Sequence, residues 1–156
     1  MEAPKRIKVT RLADYLETMS KSVFQTGISW KVVESKWPGI TEAFHGFDPA
    51  LVSKMTGAEL DELAQDTRVI RKRRKILAIV ENARRMLELD REHGSFRNYL
   101  RSYASFDALV TDLHKQFKFL GDMGSYYFLW VVGEKVPSWD EWSSGQPPAK
   151  PHSRHG

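Results

Sequence analysis

Apolar side chains return every three or four residues along nearly the whole chain, and that periodicity restricts the fold to packed helices. Leu12, Tyr15, Leu16, Met19 and Val23 make one stripe, the pattern of a helix with a single buried face. Ile76, Leu77, Ile79, Val80, Ala83, Met86 and Leu87 make the longest stripe, on a helix predicted from Arg73 to about Leu89 and ended by Gly94-Ser95. Thr56-Gly57-Ala58-Glu59 has capping-box spacing and starts a helix whose inner face is Leu60, Leu63 and Ala64. Trp30 to Trp37 is expected to form a short helix closed by Pro38-Gly39, because proline cannot continue the ladder and glycine accepts left-handed geometry. Phe96–Arg101 and Phe106–Gln116 are predicted as short helices, the second capped by Ser105. Ser125 to Val132 is apolar on every side, so a helix there lies in the core. Tyr126–Val132 also suits a strand, but nothing else in the chain offers strands to pair with. The expected fold is all-α, with roughly seven to nine short helices.

A chain of 156 residues is one domain by size. Residues 1–142 are expected to form it, with 143–156 (SSGQPPAKPHSRHG) a disordered tail for want of apolar side chains. No apolar run approaches a membrane span, and the start lacks the apolar stretch of a secretory signal, so a cytoplasmic location is expected. With no cysteine, disulfides and thiolate sites are excluded. A net charge of +4 and a pI near 9.3 are compatible with an anionic partner.

Two segments sharpen that hint. Phe24-Gln25-Thr26-Gly27-Ile28-Ser29-Trp30 puts a flat indole just past a glycine, where two helices join. Val69-Ile70-Arg71-Lys72-Arg73-Arg74-Lys75-Ile76 puts five adjacent cations at the mouth of an amphipathic helix. One can hold a flat ring and the other a phosphate chain, which together suggest a protein that handles a nucleobase within its polymer.

Together with Phe47-Asp48-Pro49, Asn82-Ala83-Arg84 and Phe117-Lys118-Phe119-Leu120-Gly121, these segments resemble the 3-methyladenine DNA glycosylase I family. That family belongs to the helix-hairpin-helix base-excision repair superfamily, and the similarity runs in one order from about residue 11 to residue 133. The resemblance implies a compact two-lobed helical domain that bends double-stranded DNA, flips a damaged base and hydrolyses its bond to the sugar. A base must leave the stack before that bond can be reached, and aromatic faces lower the cost. An alkylated purine of the 3-methyladenine kind carries positive charge, which a π-face attracts. No cofactor is expected, and a monomer is expected.

The resemblance also assigns residues. Trp30 falls on the family's base-pocket tryptophan; a core tryptophan is the competing reading. Tyr15 and Phe24 are nearby aromatics that can add a second face or pack in the core. The family's base-recognising glutamate sits eight residues before that tryptophan, where this chain has Ser22, whose hydroxyl is expected to help read the base by hydrogen bonding; Glu17 is a possible substitute, with a solvated surface carboxylate the competing reading. The family's zinc clamp needs cysteines that are absent, and His152 and His155 in the tail are not expected to bind metal. Gly121-Asp122-Met123-Gly124 occupies the hairpin position, where Gly121 and Gly124 let a phosphate approach and Lys115 and Lys118 flank it. Arg71, Arg73 and Lys75 are expected on the DNA backbone. Superfamily members that also cleave the strand carry a lysine two residues past the last hairpin glycine; here that residue is Tyr126, which implies monofunctional chemistry. Asp140 falls loosely where many superfamily members keep an aspartate that stabilises the sugar cation.

Three readings follow: a glycosylase, a relative that recognises lesions without cutting, and a helical protein–protein module whose cations decorate the surface.

Overall fold

The computed structural model describes residues 4–144, and among those residues the regular structure is all helical. Nine α-helices follow in order: α1 (Leu12–Gln25), α2 (Trp30–Ala43), α3 (Pro49–Val52), α4 (Gly57–Leu63), α5 (Arg73–His93), α6 (Phe96–Leu100), α7 (Phe106–Gln116), α8 (Asp122–Val131) and α9 (Trp139–Ser144). A 3-10 turn, His45–Phe47, separates α2 from α3. The segment that also suited a strand is therefore helix α8.

Helix α1 begins where the Asp14 carboxylate accepts the backbone N–H groups of Thr10 (2.9 Å) and Arg11 (3.1 Å). Its stripe of Leu16, Met19 and Val23 is fully buried. That burial places α1 at the centre of the packing, where it touches α2, α3, α5 and α8. Helix α5 packs on α1, α3, α4 and α6, and α7 packs on α8. Gly94, with φ 83°, ends α5 in the left-handed conformation expected of a C-terminal glycine.

Helix α2 departs from expectation by running through Pro38-Gly39 to Ala43. Proline removes the ladder bond its nitrogen would give to the Glu34 carbonyl, and its ring crowds that carbonyl. Burial of Val33, Trp37, Ile40 and Ala43 along one face outweighs that loss. Gly39 serves close approach instead of termination, since a Cβ there would lie 3.0 Å from the Cβ of Arg68. At the other end of the chain, residues 143 and 144 complete α9, and the rest of the expected tail lies outside the described residues. Among the described residues, no helix is long and apolar enough to cross a membrane.

Candidate nucleic-acid interface

Three segments define the site: the turn from α1 into α2, the start of α5, and the loop from α7 into α8. The first turn is made by Gly27 at φ 74°, after which α2 starts at Trp30. Trp30 is 56% exposed, whereas Trp37, two turns on, is buried and stacks on Phe47 at 5.2 Å. Of the two tryptophans of α2, only Trp30 presents its indole to solvent. It is not sealed by hydrocarbon.

Lys75 explains why that turn is fixed. Instead of facing solvent, it is 91% buried by its 9% exposure, and its ammonium donates to the carbonyls of Phe24, at 3.4 Å, and of Thr26. These carbonyls sit at the C-terminal end of α1, where the helix leaves acceptors without partners and where positive charge is favoured. Burial, and then the neighbouring charge of Lys72, holds the Lys75 pKa below the ordinary lysine value. Lys75 is thus taken up with the backbone of the Trp30 turn and is turned away from any phosphate outside.

The rest of the basic run fans outward. Arg71 is exposed and has no carboxylate partner among the described residues. Arg73 forms an exposed ion pair with Asp61 of α4. Arg74 lies 5.9 Å over the ring of Phe119, in the loop before α8. The start of α5 and that loop therefore face the same surface.

The loop itself is held from behind. Asn82, 1% exposed, accepts the Lys118 N–H through Oδ1 at 2.8 Å and donates through Nδ2 to the Lys118 carbonyl at 3.2 Å. Next to this latch Phe119 adopts φ 59°, a left-handed conformation that a phenylalanine holds only when its surroundings require it. The Lys118 side chain stays exposed. Gly121 is the N-cap of α8, and a Cβ added there would meet nothing within 4 Å, so the backbone is open to an incoming group. Asp122, an unfavourable neighbour for phosphate, is engaged by His114 at 2.7 Å.

Gly124 plays a different part from Gly121. A Cβ there would lie 3.7 Å from the Cβ of Ser22, an ordinary van der Waals distance, so α8 passes in contact with α1 at this point. Ser22 is buried beneath it, with no hydrogen-bond partner for its hydroxyl. Tyr15 packs edge-on to Phe96 at 5.0 Å, and Phe24 packs against Trp37 and Phe44, so both aromatics belong to the core. Glu17 accepts the indole N–H of Trp37 at 2.9 Å and is committed there. Asp140 is exposed on α9, which is anchored elsewhere: Trp142 donates to Asp107 at 3.3 Å and stacks on Tyr126 at 5.1 Å. Three links join these segments: Lys75 of α5 to the turn before Trp30, Arg74 of α5 to Phe119 of the loop, and Asn82 of α5 to Lys118. The ring contacts of Tyr15 and Phe24 are with core aromatics, and Asp140 is exposed on α9.

Asn82 and Lys75 were assigned no inward role from sequence. The signal was there: positions 75, 79, 82 and 86 share one helical face, and Ile79 and Met86 are fully buried. A polar residue on such a face needs an internal partner.

The sequence matches the methyladenine glycosylase family over residues 9–134. The chain belongs to that family. It is 32% identical to DNA-3-methyladenine glycosylase 1 of Escherichia coli (strain K12), in a match covering 75% of this chain and 78% of that one. It is 36% identical to the DNA-3-methyladenine glycosylase of Haemophilus influenzae, over 57% of this chain and 48% of that one, so this match spans about half of the relative. Among solved structures, a 3-methyladenine DNA glycosylase I in complex with 3-methyladenine superimposes with a TM-score of 0.71 at 26% identity, covering 81% of this chain and 80% of that one. The family match ends before α9, so Asp140 falls outside it.

Proposed function

We propose that this chain is a monofunctional DNA glycosylase that flips an alkylated purine of the 3-methyladenine kind out of double-stranded DNA and hydrolyses its N-glycosidic bond. The observation that carries this reading is the exposed indole of Trp30, fixed beside a basic surface by the buried ammonium of Lys75. A flipped cationic base stacks on the indole, gaining the attraction of a π-face for positive charge. Arg71, Arg74 and Lys118 neutralise backbone phosphates, and the open N-terminus of α8 at Gly121 receives one of them.

The chemistry asks little of the pocket. The C1′–N bond breaks with its electron pair leaving on the base, which cancels the base's positive charge. Water adds to C1′ and gives its proton to solvent. The position two residues past Gly124 is Tyr126, whose hydroxyl donates to the Pro137 carbonyl at 2.7 Å, so no amine stands there to form a Schiff base. Asp140 is carried as the candidate for stabilising the sugar cation, and reaching it would require α9 to move toward the DNA. The protein acts as a monomer in this reading.

A second reading, a relative that recognises lesions without cutting, draws on the buried Ser22 hydroxyl and the remote Asp140. One assay separates the two. Incubation with methylated duplex should release free 3-methyladenine and leave no adduct on borohydride treatment. Tight lesion binding without release would favour the second reading. Release undiminished in Asp140→Asn would remove that aspartate from the mechanism.

A further inference from the structure

The site as described has an aromatic face but no carboxylate facing it, since Ser22 is sealed under Gly124 and Glu17 is bound to Trp37. Glu34 stands four residues after Trp30 on α2, hence on the same helix face, about 6 Å along the axis. Its Oε1 is shielded from solvent, and its one cationic partner among the described residues is Lys21 of α1. Lys21 is itself placed 5.5 Å over the ring of Trp37. Tyr127 of α8 is half-buried, and burial first and then the charge of Glu34 raise its pKa. Tyr127 lies one turn beyond Met123, an apolar side chain left 66% exposed at the start of α8. Trp30 and Glu34 on α2, and Met123 and Tyr127 on α8, thus belong to the two helices that meet the end of α1, α2 at Lys21 and α8 at Ser22.

We propose that Glu34 is the carboxylate that reads the positive charge of the base stacked on Trp30, and that Lys21 is the competing cation that occupies Glu34 while the site is empty. This rests on the glycosylase reading above. A partly buried carboxylate is costly without a counter-charge, so Lys21 fills the place in the free protein. A cationic purine supplies the same charge and releases Lys21, which retains the Trp37 face on which to rest. An uncharged purine cannot replace the ammonium, and entering beside an intact ion pair gains it nothing. The pair thus acts as a charge gate, selecting for the lesion's defining property instead of its shape.

The test compares a methylated duplex, whose 3-methyladenine is cationic, with a duplex carrying 3-deaza-3-methyladenine, an uncharged isostere that is not released. Glu34→Gln should lower kcat/KM for base release about tenfold, the scale of one partly screened charge pair, while leaving affinity for the isostere duplex unchanged. Lys21→Met should shift release the other way, raising it by removing the competitor. Opposite signs from two partners of one ion pair cannot come from lost packing, which would lower both. Release unchanged in Glu34→Gln, equal losses on both duplexes, or a fall in Lys21→Met would each overturn the proposal. No release by the wild-type protein would instead overturn the glycosylase reading on which it stands.

Discussion

Asn82 grips the main chain of Lys118 with both ends of its amide, at 2.8 and 3.2 Å, from a position on α5 that solvent does not reach. This clasp joins the longest helix to the loop that presents Lys118 and Gly121. Replacing it by alanine removes both hydrogen bonds to the Lys118 main chain, each contributing about 1 kcal/mol, and leaves a cavity at a buried position. Asn82→Ala should therefore lower the free energy of unfolding by a few kcal/mol in denaturant titration and weaken DNA binding further than the lost stability explains. Asn82→Asp keeps the acceptor for the Lys118 N–H and loses the donor, so its DNA affinity should fall between the two. Equal DNA affinity in all three proteins would show that the loop needs no latch.

Within the basic run Lys75 alone is buried, whereas Arg71, Lys72, Arg73 and Arg74 are exposed, and the proposed function puts Arg71 and Arg74 on the DNA. Arg71→Ala, Arg74→Ala and Lys118→Ala should each make the salt dependence of duplex binding shallower by about 0.9 in log–log slope. Lys75→Met should leave that slope unchanged, while lowering both stability and base release by loosening the turn before Trp30. Binding isotherms over a salt series decide it. A changed slope in Lys75→Met would place its ammonium on phosphate after all.

Much of the helical framework could be read from apolar spacing, because burial of one face governs where helices form. Thr56 and Glu59 make the capping box that their spacing implied, and Ser105 caps α7 through the Ala108 N–H. At Pro38 the buried face carrying Trp37 and Ile40 outweighs a local breaker, which apolar spacing alone does not reveal. In the site, the freedom of Trp30 and the inward turn of Lys75 could not both be inferred from the motif. Exposure of the indole depends on how α1 and α2 meet, and five adjacent cations look alike until the helix phase assigns one of them to the core. Glu34 was hidden for a similar reason: its partner Lys21 is on another helix, and only packing brings them together.

Asp14 supplies a pH test of the helix that carries Lys21 and Ser22. Burial alone would raise its pKa, but the N–H groups of Thr10 and Arg11 outweigh burial and hold it below the ordinary value of 3.8. A carboxylate with a depressed folded-state pKa stabilises the fold above 3.8, and that contribution is lost as pH falls through the folded value. Asp14→Ala should cost about 1 kcal/mol near neutral pH, as for other helix caps. The difference from wild type should shrink steadily below pH 3.8. A constant difference down to pH 2 (well past any carboxylate's usual range) would mean that the side chain contributes packing and not charge.

Base release by Trp30→Ala bears most directly on the whole account. Because the indole is 56% exposed, its removal should change stability by less than about 0.5 kcal/mol. Release of 3-methyladenine from methylated duplex should nevertheless fall by at least about tenfold, the loss expected when a flipped base has no aromatic face to stack on. A folded Trp30→Ala protein that released the base at the wild-type rate would contradict the assignment of this surface as the site of repair.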